Sequence, residues 1–145
     1  MVALTEAGIL IGKQAPDFTL KSPYGKDVSL YSIQKDYILL DFWGSWCTWC
    51  IKDFPNMKAF YTKYANNLEI LGIACNDKQD AWLASIKKNK LQWMNVINNR
   101  ENDVAAQYVI NIYPTKILLD KDKKIIGIFK GESAGVYEQL AELIK

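Results

Sequence analysis

The sequence predicts an α/β domain on three observations. Two nearly continuous apolar runs, YILLDFW at residues 37–43 and LEILGIAC at 68–75, read as strands buried on both faces. Between them Phe54, Met57, Tyr61 and Tyr64 recur at steps of three and four, the period of a helix that covers one face. Strands then alternate with helices up to a final hairpin and helix, which implies a mixed sheet covered on both sides.

The whole chain, residues 1–145, reads as one domain, with residues 1–11 as an extension ahead of it, because no repeat or Gly/Ser linker divides it. PDFTLKSPYGKDVSL, residues 16–30, holds two short alternating runs around a turn favoured by Pro23 and Gly25, an N-terminal β-hairpin. The strand at 37–43 is interrupted only by Asp41. The helix from Cys50 to Ala65 places Cys47 at its first turn, and Pro55 inside it removes a donor and predicts a kink. After the strand at 68–75, Asp77 reads as the cap of a helix carrying Trp82, Leu83 and Ile86. WMNVI at 93–97 is a short apolar run, followed by a short helix from Asp103 to Tyr108. Residues 115–131 form two strands joined by a charged turn at 120–123. A last helix puts Val136, Leu140, Leu143 and Ile144 on one face, with Ser133 as its cap.

Composition excludes several kinds of function. Eighteen basic and 16 acidic residues are mixed along the chain for a net charge of +2, so no cationic stripe is offered to nucleic acid. No stretch approaches the roughly 20 apolar residues that cross a bilayer, and the first ten residues lack the pattern of a secretory signal. Histidine is absent, which removes histidine triads, histidine metal sites and imidazole proton shuttles. Three cysteines are too few for a disulfide-stapled scaffold.

The chemistry therefore concentrates in FWGSWCTWC, residues 42–50. Two cysteines three apart at a helix entrance are close enough to form a disulfide with little backbone movement. Free N–H groups and the helix dipole favour the thiolate of Cys47, the attacking sulfur, while Cys50, one turn further in, stays protonated until it resolves a mixed disulfide. Half of a zinc site and an inert core pair are the competing readings. Zinc lacks ligands, since only Cys75 remains and a closed site takes four. Asp41 is either the acceptor of the Cys50 proton, directly or through a water, or a solvated strand-end carboxylate. Cys75 reads as a small apolar core residue and Trp43 as structural. Trp46 and Trp49 either cap the core or hold a peptide substrate. With Thr48 and Trp49 between the cysteines, no local cation stabilises the thiolate strongly, which disfavours a strong oxidant.

LLDFWGSWCTWC with Pro55 and IYPTKILLD resembles the thioredoxin superfamily, and GKQAPDFTL with CIKDFPNM narrows the resemblance to TlpA/ResA-like thiol-disulfide oxidoreductases, from about Gly12 to Lys145. It implies a thioredoxin fold, a nucleophilic Cys47, a resolving Cys50 and a buried acid at Asp41. Pro114 matches a proline with a cis peptide bond against the disulfide, and Tyr113 a position whose backbone pairs with substrate. No cofactor and no bound metal are expected; by resemblance the partners are protein or peptide disulfides and a membrane thiol reductase that supplies electrons. It also implies work in the bacterial periplasm or cell envelope, with a signal or anchor outside this chain. Two departures stand out: Thr48-Trp49 replaces the usual dipeptide, and no lysine stands near Cys75 to pair with Asp41.

Two other functions compete. APDFTL is shared with peroxiredoxin-type peroxidases, which need a different cysteine context and an activating arginine; the only arginine here is Arg100. A non-catalytic binding or metallochaperone domain would use wider cysteine spacing and a histidine.

Overall fold

The computed structural model describes residues 9–131 and 134–144. Its seven strands are β1 (Thr19–Lys21), β2 (Asp27–Ser29), β3 (Tyr37–Trp43), β4 (Leu68–Ala74), β5 (Met94–Ile97), β6 (Thr115–Leu119) and β7 (Ile125–Lys130). They form one mixed sheet in the order β2-β1-β5-β4-β3-β6-β7. β3, β4 and β5 run parallel; β6, β7 and the β1–β2 hairpin are antiparallel to their neighbours. The mixed α/β fold and the N-terminal hairpin are as expected from the sequence.

Alternation along β3 explains why its apolar run needs two covers. Ile38, Leu40 and Phe42 point to one core with Phe18, Leu30, Val104 and Tyr108. Leu39 and Trp43 point to the other, against the helix α1 (Thr48–Tyr64) through Cys50, Phe54, Met57 and Phe60. Trp82 of α2 (Gln79–Asn89) and Val136 and Leu140 of α4 (Val136–Leu143) complete that second core. Each fully buried Leu, Ile or Phe contributes about 1.5–3 kcal/mol of transfer free energy.

Several local expectations are corrected. Cys47 is the N-cap of α1 rather than part of its first turn, because its backbone is extended while its sulfur accepts from the Cys50 N–H. Pro55 lies inside this helix, as expected. Asp77 does not cap α2: Lys78 holds the cap position, and the Asp77 carboxylate is taken by Ser45. Trp82 and Ser85 are the buried residues of α2, and Leu83 is exposed. Gly135 holds the N-cap of α4, Ser133 lies outside the described residues, and Leu143 is exposed.

The short helix α3 (Val104–Gln107) is capped by the Asp103 carboxylate, which accepts from Ala106 N–H at 3.1 Å. It ends in a Schellman motif: Ile110 N–H donates to Ala105 O and Val109 N–H to Ala106 O. Val109 occupies the left-handed position of that motif at φ 56°, where glycine is usual and a β-branched side chain collides with its own backbone. Val109→Gly should therefore raise stability by about 1 kcal/mol, read as a higher urea midpoint with an unchanged slope.

Candidate active site

The site lies where β3 runs into α1. Cys47 and Cys50 are joined in a disulfide with Cα atoms 5.3 Å apart. Cys47 is 6% exposed and Cys50 1%, so the N-terminal sulfur is the one at the surface. The Cys50 N–H lies 3.2 Å from Cys47 Sγ. As the N-cap, Cys47 faces the donors that the first helical turn leaves without partners, where a thiolate is favoured.

The loop leading to Cys47 is tied to the far end of β4. Ser45 donates from its N–H and hydroxyl to the two Asp77 oxygens, at 2.7 and 2.6 Å. Trp46 folds back so that Nε1 donates to Cys75 O at 2.9 Å, passing so close to Gly44 that a Cβ there would meet its indole at 2.2 Å. The edge of the Trp46 ring meets Tyr113 with centroids 5.3 Å apart, and the Cys75 thiol donates to Ile73 O at 3.5 Å. Burial pushes that thiol up to about 12, so Cys75 stays protonated and structural. The Tyr113–Pro114 peptide bond is cis.

Trp46 and Trp49 are 50% and 55% exposed, which rules out the reading in which they only cap the core. Thr48 is exposed between them, and Lys52 Nζ sits 4.9 Å above the Trp49 ring. Ile112 adds a third exposed apolar side chain beside Tyr113. Trp43 is fully buried, as expected.

Behind the disulfide, Asp41 is 1% exposed and shares its side of the sheet with Leu39, Trp43 and the cysteine pair. The solvated-carboxylate reading therefore fails. A lysine does pair with it: Lys116, its antiparallel register partner on β6, places Nζ 3.3 Å from Asp41 Oδ1, within ion-pair range but off the hydrogen-bond line. Lys116 also reaches Asp53 Oδ2 at 2.7 Å, and Tyr137 donates its hydroxyl to the same oxygen at 2.6 Å. A cavity of about 20 Å³ bordered by Asp53, Lys116, Pro114 and Tyr137 lies at the outer end of this chain of groups.

Burial raises the Asp41 pKa; Lys116 opposes that rise and Asp53 adds to it. Burial would lower the Lys116 pKa, but Asp41 and Asp53 together hold it above the ordinary lysine value. An acid whose folded pKa is raised favours the fold below its unfolded pKa and penalises it as pH rises through the folded one. Asp41→Asn should thus stabilise the protein at about pH 8 by on the order of 1 kcal/mol and lose that gain toward pH 4, as measured by urea unfolding across that range.

A disulfide at a helix N-terminus, backed by a buried carboxylate, is an arrangement for dithiol chemistry, and the relatives agree. The model of the AhpC/TSA family matches residues 11–128. A thiol-disulfide oxidoreductase ResA of Bacillus thuringiensis subsp. konkukian is 33% identical over 136 residues, covering 93% of this chain and 77% of that protein. The chain belongs to the AhpC/TSA family, among its ResA-like thiol-disulfide oxidoreductases.

Solved structures of such oxidoreductases share the fold. One from Bacteroides fragilis is 32% identical with a TM-score of 0.79, covering 91% of this chain and 100% of that one. The thioredoxin domain of another, from Bacteroides vulgatus, is 26% identical with a TM-score of 0.84, covering 94% and 99%. The thioredoxin fold inferred by resemblance is thereby established, and a ResA-like oxidoreductase exchanges dithiol and disulfide with polypeptide substrates.

Three residues that this oxidoreductase places at its centre escape a reading of the sequence: Lys116, Asp53 and Tyr137. A signal existed for the first. Lys116 breaks the apolar strand TKILL just as Asp41 breaks YILLDFW, and two opposite charges in two buried strands call for each other. Asp53 follows Cys50 by three residues, which puts both on one helical face.

Proposed function

We propose that the protein works as a disulfide reductant, with Cys47 attacking and Cys50 resolving. The Cys47 thiolate attacks one sulfur of a substrate disulfide, forming a mixed disulfide and releasing the other substrate sulfur, which takes a proton. Cys50 gives its proton to Asp41 and attacks Cys47 Sγ. The Cys47–Cys50 disulfide forms, the second substrate thiol leaves, and two electrons have passed to the substrate. The observation that carries this reading is the pairing of an outer sulfur at a helix N-cap with an inner sulfur on the same side of the sheet as a buried carboxylate.

The exposed rings of Trp46 and Trp49, with Thr48 between them, support contact with a polypeptide around the disulfide. Tyr113 and Pro114 precede β6, so the backbone of Tyr113 lies outside the sheet ladder and suits pairing with an extended substrate strand. Regeneration needs a dithiol donor, and we assign that role to a membrane thiol reductase. Work in the bacterial cell envelope follows from the same resemblance; among the described residues no helix is long and apolar enough to cross a membrane.

Thiol counting tests the reaction. Reduced protein mixed with excess insulin should lose two thiols per molecule and open one insulin disulfide, with Cys75 still titrating after denaturation. Loss of one thiol, or consumption of hydrogen peroxide in place of insulin, would overturn the assignment.

A further inference from the structure

Five buried side-chain polar atoms have no hydrogen-bond partner among the described residues, and four of them belong to side chains around one glycine. Gly72, in the middle of β4, is flanked by Asp41 on β3 and Asn95 on β5, its register partners on either side. Trp43 stands two residues beyond Asp41 and Trp93 two before Asn95, so by strand alternation all four side chains share the side of the sheet that faces α1. A side chain at Gly72 would begin 2.7 Å from Asn95 Oδ1, 3.1 Å from Trp43 Nε1 and 3.5 Å from Trp93 Nε1. These atoms lean over bare backbone, which only glycine leaves open.

The unmet demand has a definite composition. Trp43 and Trp93 each offer an N–H; Asn95 Oδ1 and Asp41 Oδ1 each offer lone pairs. Leaving such a group dry costs about 1–3 kcal/mol, and a buried water commonly settles about three at once. Asn95 is fixed in orientation, since its Nδ2 donates to Trp93 O at 3.0 Å. Direct bonds from both indoles to Asn95 would still leave Asp41 Oδ1 with only the poorly aligned Lys116 Nζ, at 3.3 Å, beside it.

We propose that one internal water molecule is bound over Gly72, accepting from Trp43 Nε1 and Trp93 Nε1 and donating to Asn95 Oδ1 and to the Asp41 carboxylate. Two donors and two acceptors match what a water presents. The binding site stands on these contacts alone; its part in catalysis rests on the proposed role of Asp41. A donor beside Asp41 favours its ionised form and keeps it able to take the Cys50 proton, against the burial that works the other way.

A near-atomic-resolution crystal structure of the wild-type chain should show solvent density within hydrogen-bond distance of Trp43 Nε1, Trp93 Nε1 and Asn95 Oδ1. In solution, both indole N–H protons should show cross-relaxation with a long-lived water, absent in Gly72→Ala. Closed density with both indoles bonded directly to Asn95, or indole signals with no water contact in the wild type, would overturn the site. Gly72→Ala should slow Cys50 resolution about tenfold at neutral pH, the loss of one hydrogen bond to a charged group, with recovery at higher pH. Gly72→Ser, whose hydroxyl can replace the water, should restore much of the rate. Density for the water together with an unmoved pH profile in Gly72→Ala would uphold the site and overturn the role given to Asp41.

Discussion

Replacing Cys47 with serine should leave insulin reduction at the background rate, a loss of at least about a thousandfold. A serine hydroxyl stays protonated at a helix N-cap that would ionise a thiol, and Cys50, 1% exposed, cannot reach a substrate disulfide in its place. Cys50→Ser should behave differently. Its Cys47 still attacks, but no second sulfur stands behind it, so a mixed disulfide with substrate accumulates and can be isolated by non-reducing electrophoresis and mass spectrometry. Equal turnover in the two variants, or no trapped adduct in the second, would remove the distinction between attacking and resolving sulfurs.

Lys116→Met should cost about 3–5 kcal/mol of stability at neutral pH, because it strands two buried carboxylates that share one cation. The deficit has a pH signature with a definite sign. The Asp41 pKa already lies above its free value through burial, and Lys116 is the group that restrains it. Without the lysine the pKa climbs further, so the protein should recover stability as the pH falls and Asp41 becomes neutral, and lose more as the pH rises. Urea unfolding at several pH values checks this, and a pH-independent deficit would mean that Lys116 matters for packing alone. Activity should move as well: a more basic Asp41 holds its proton to higher pH, so the pH at which Cys50 resolves efficiently should shift upward. Adding Asp53→Asn to Lys116→Met should recover part of the stability, since one stranded charge is then gone.

What could be read from residues alone follows from how far apart the interacting groups stand in the chain. The strands at 37–43 and 68–74, the helix after Cys47 and the hairpin at 115–130 announce themselves through local periodicity, which backbone geometry imposes directly. The disulfide pair was legible for the same reason, its cysteines being three residues apart. The partner of Asp41 was not, because Lys116 is brought beside it by antiparallel pairing across 75 positions of sequence, a register that no local pattern encodes. Asp77 misled in an instructive way. An aspartate just ahead of a helix is a natural cap, but the Ser45 N–H and hydroxyl compete for the same carboxylate and take both oxygens. Trp46 and Trp49 could not be told from core residues by type, since exposure is a property of the finished fold.

Residues 12–30 supply none of the side chains placed at the disulfide, yet they bond to both margins of the sheet. At one margin the β1–β2 hairpin lies alongside β5, and its outer strand is only three residues long, with Asp27 held by Lys21 at 2.7 Å. At the other, Gly12 and Lys13 take up both backbone groups of Ile125, and Ala15 bonds to Lys123 O. A protein that exchanges disulfides with other polypeptides meets strands that could add to an open sheet edge. With its own N-terminal segment occupying those positions, part of each margin is closed to strand addition, which works against edge-to-edge aggregation.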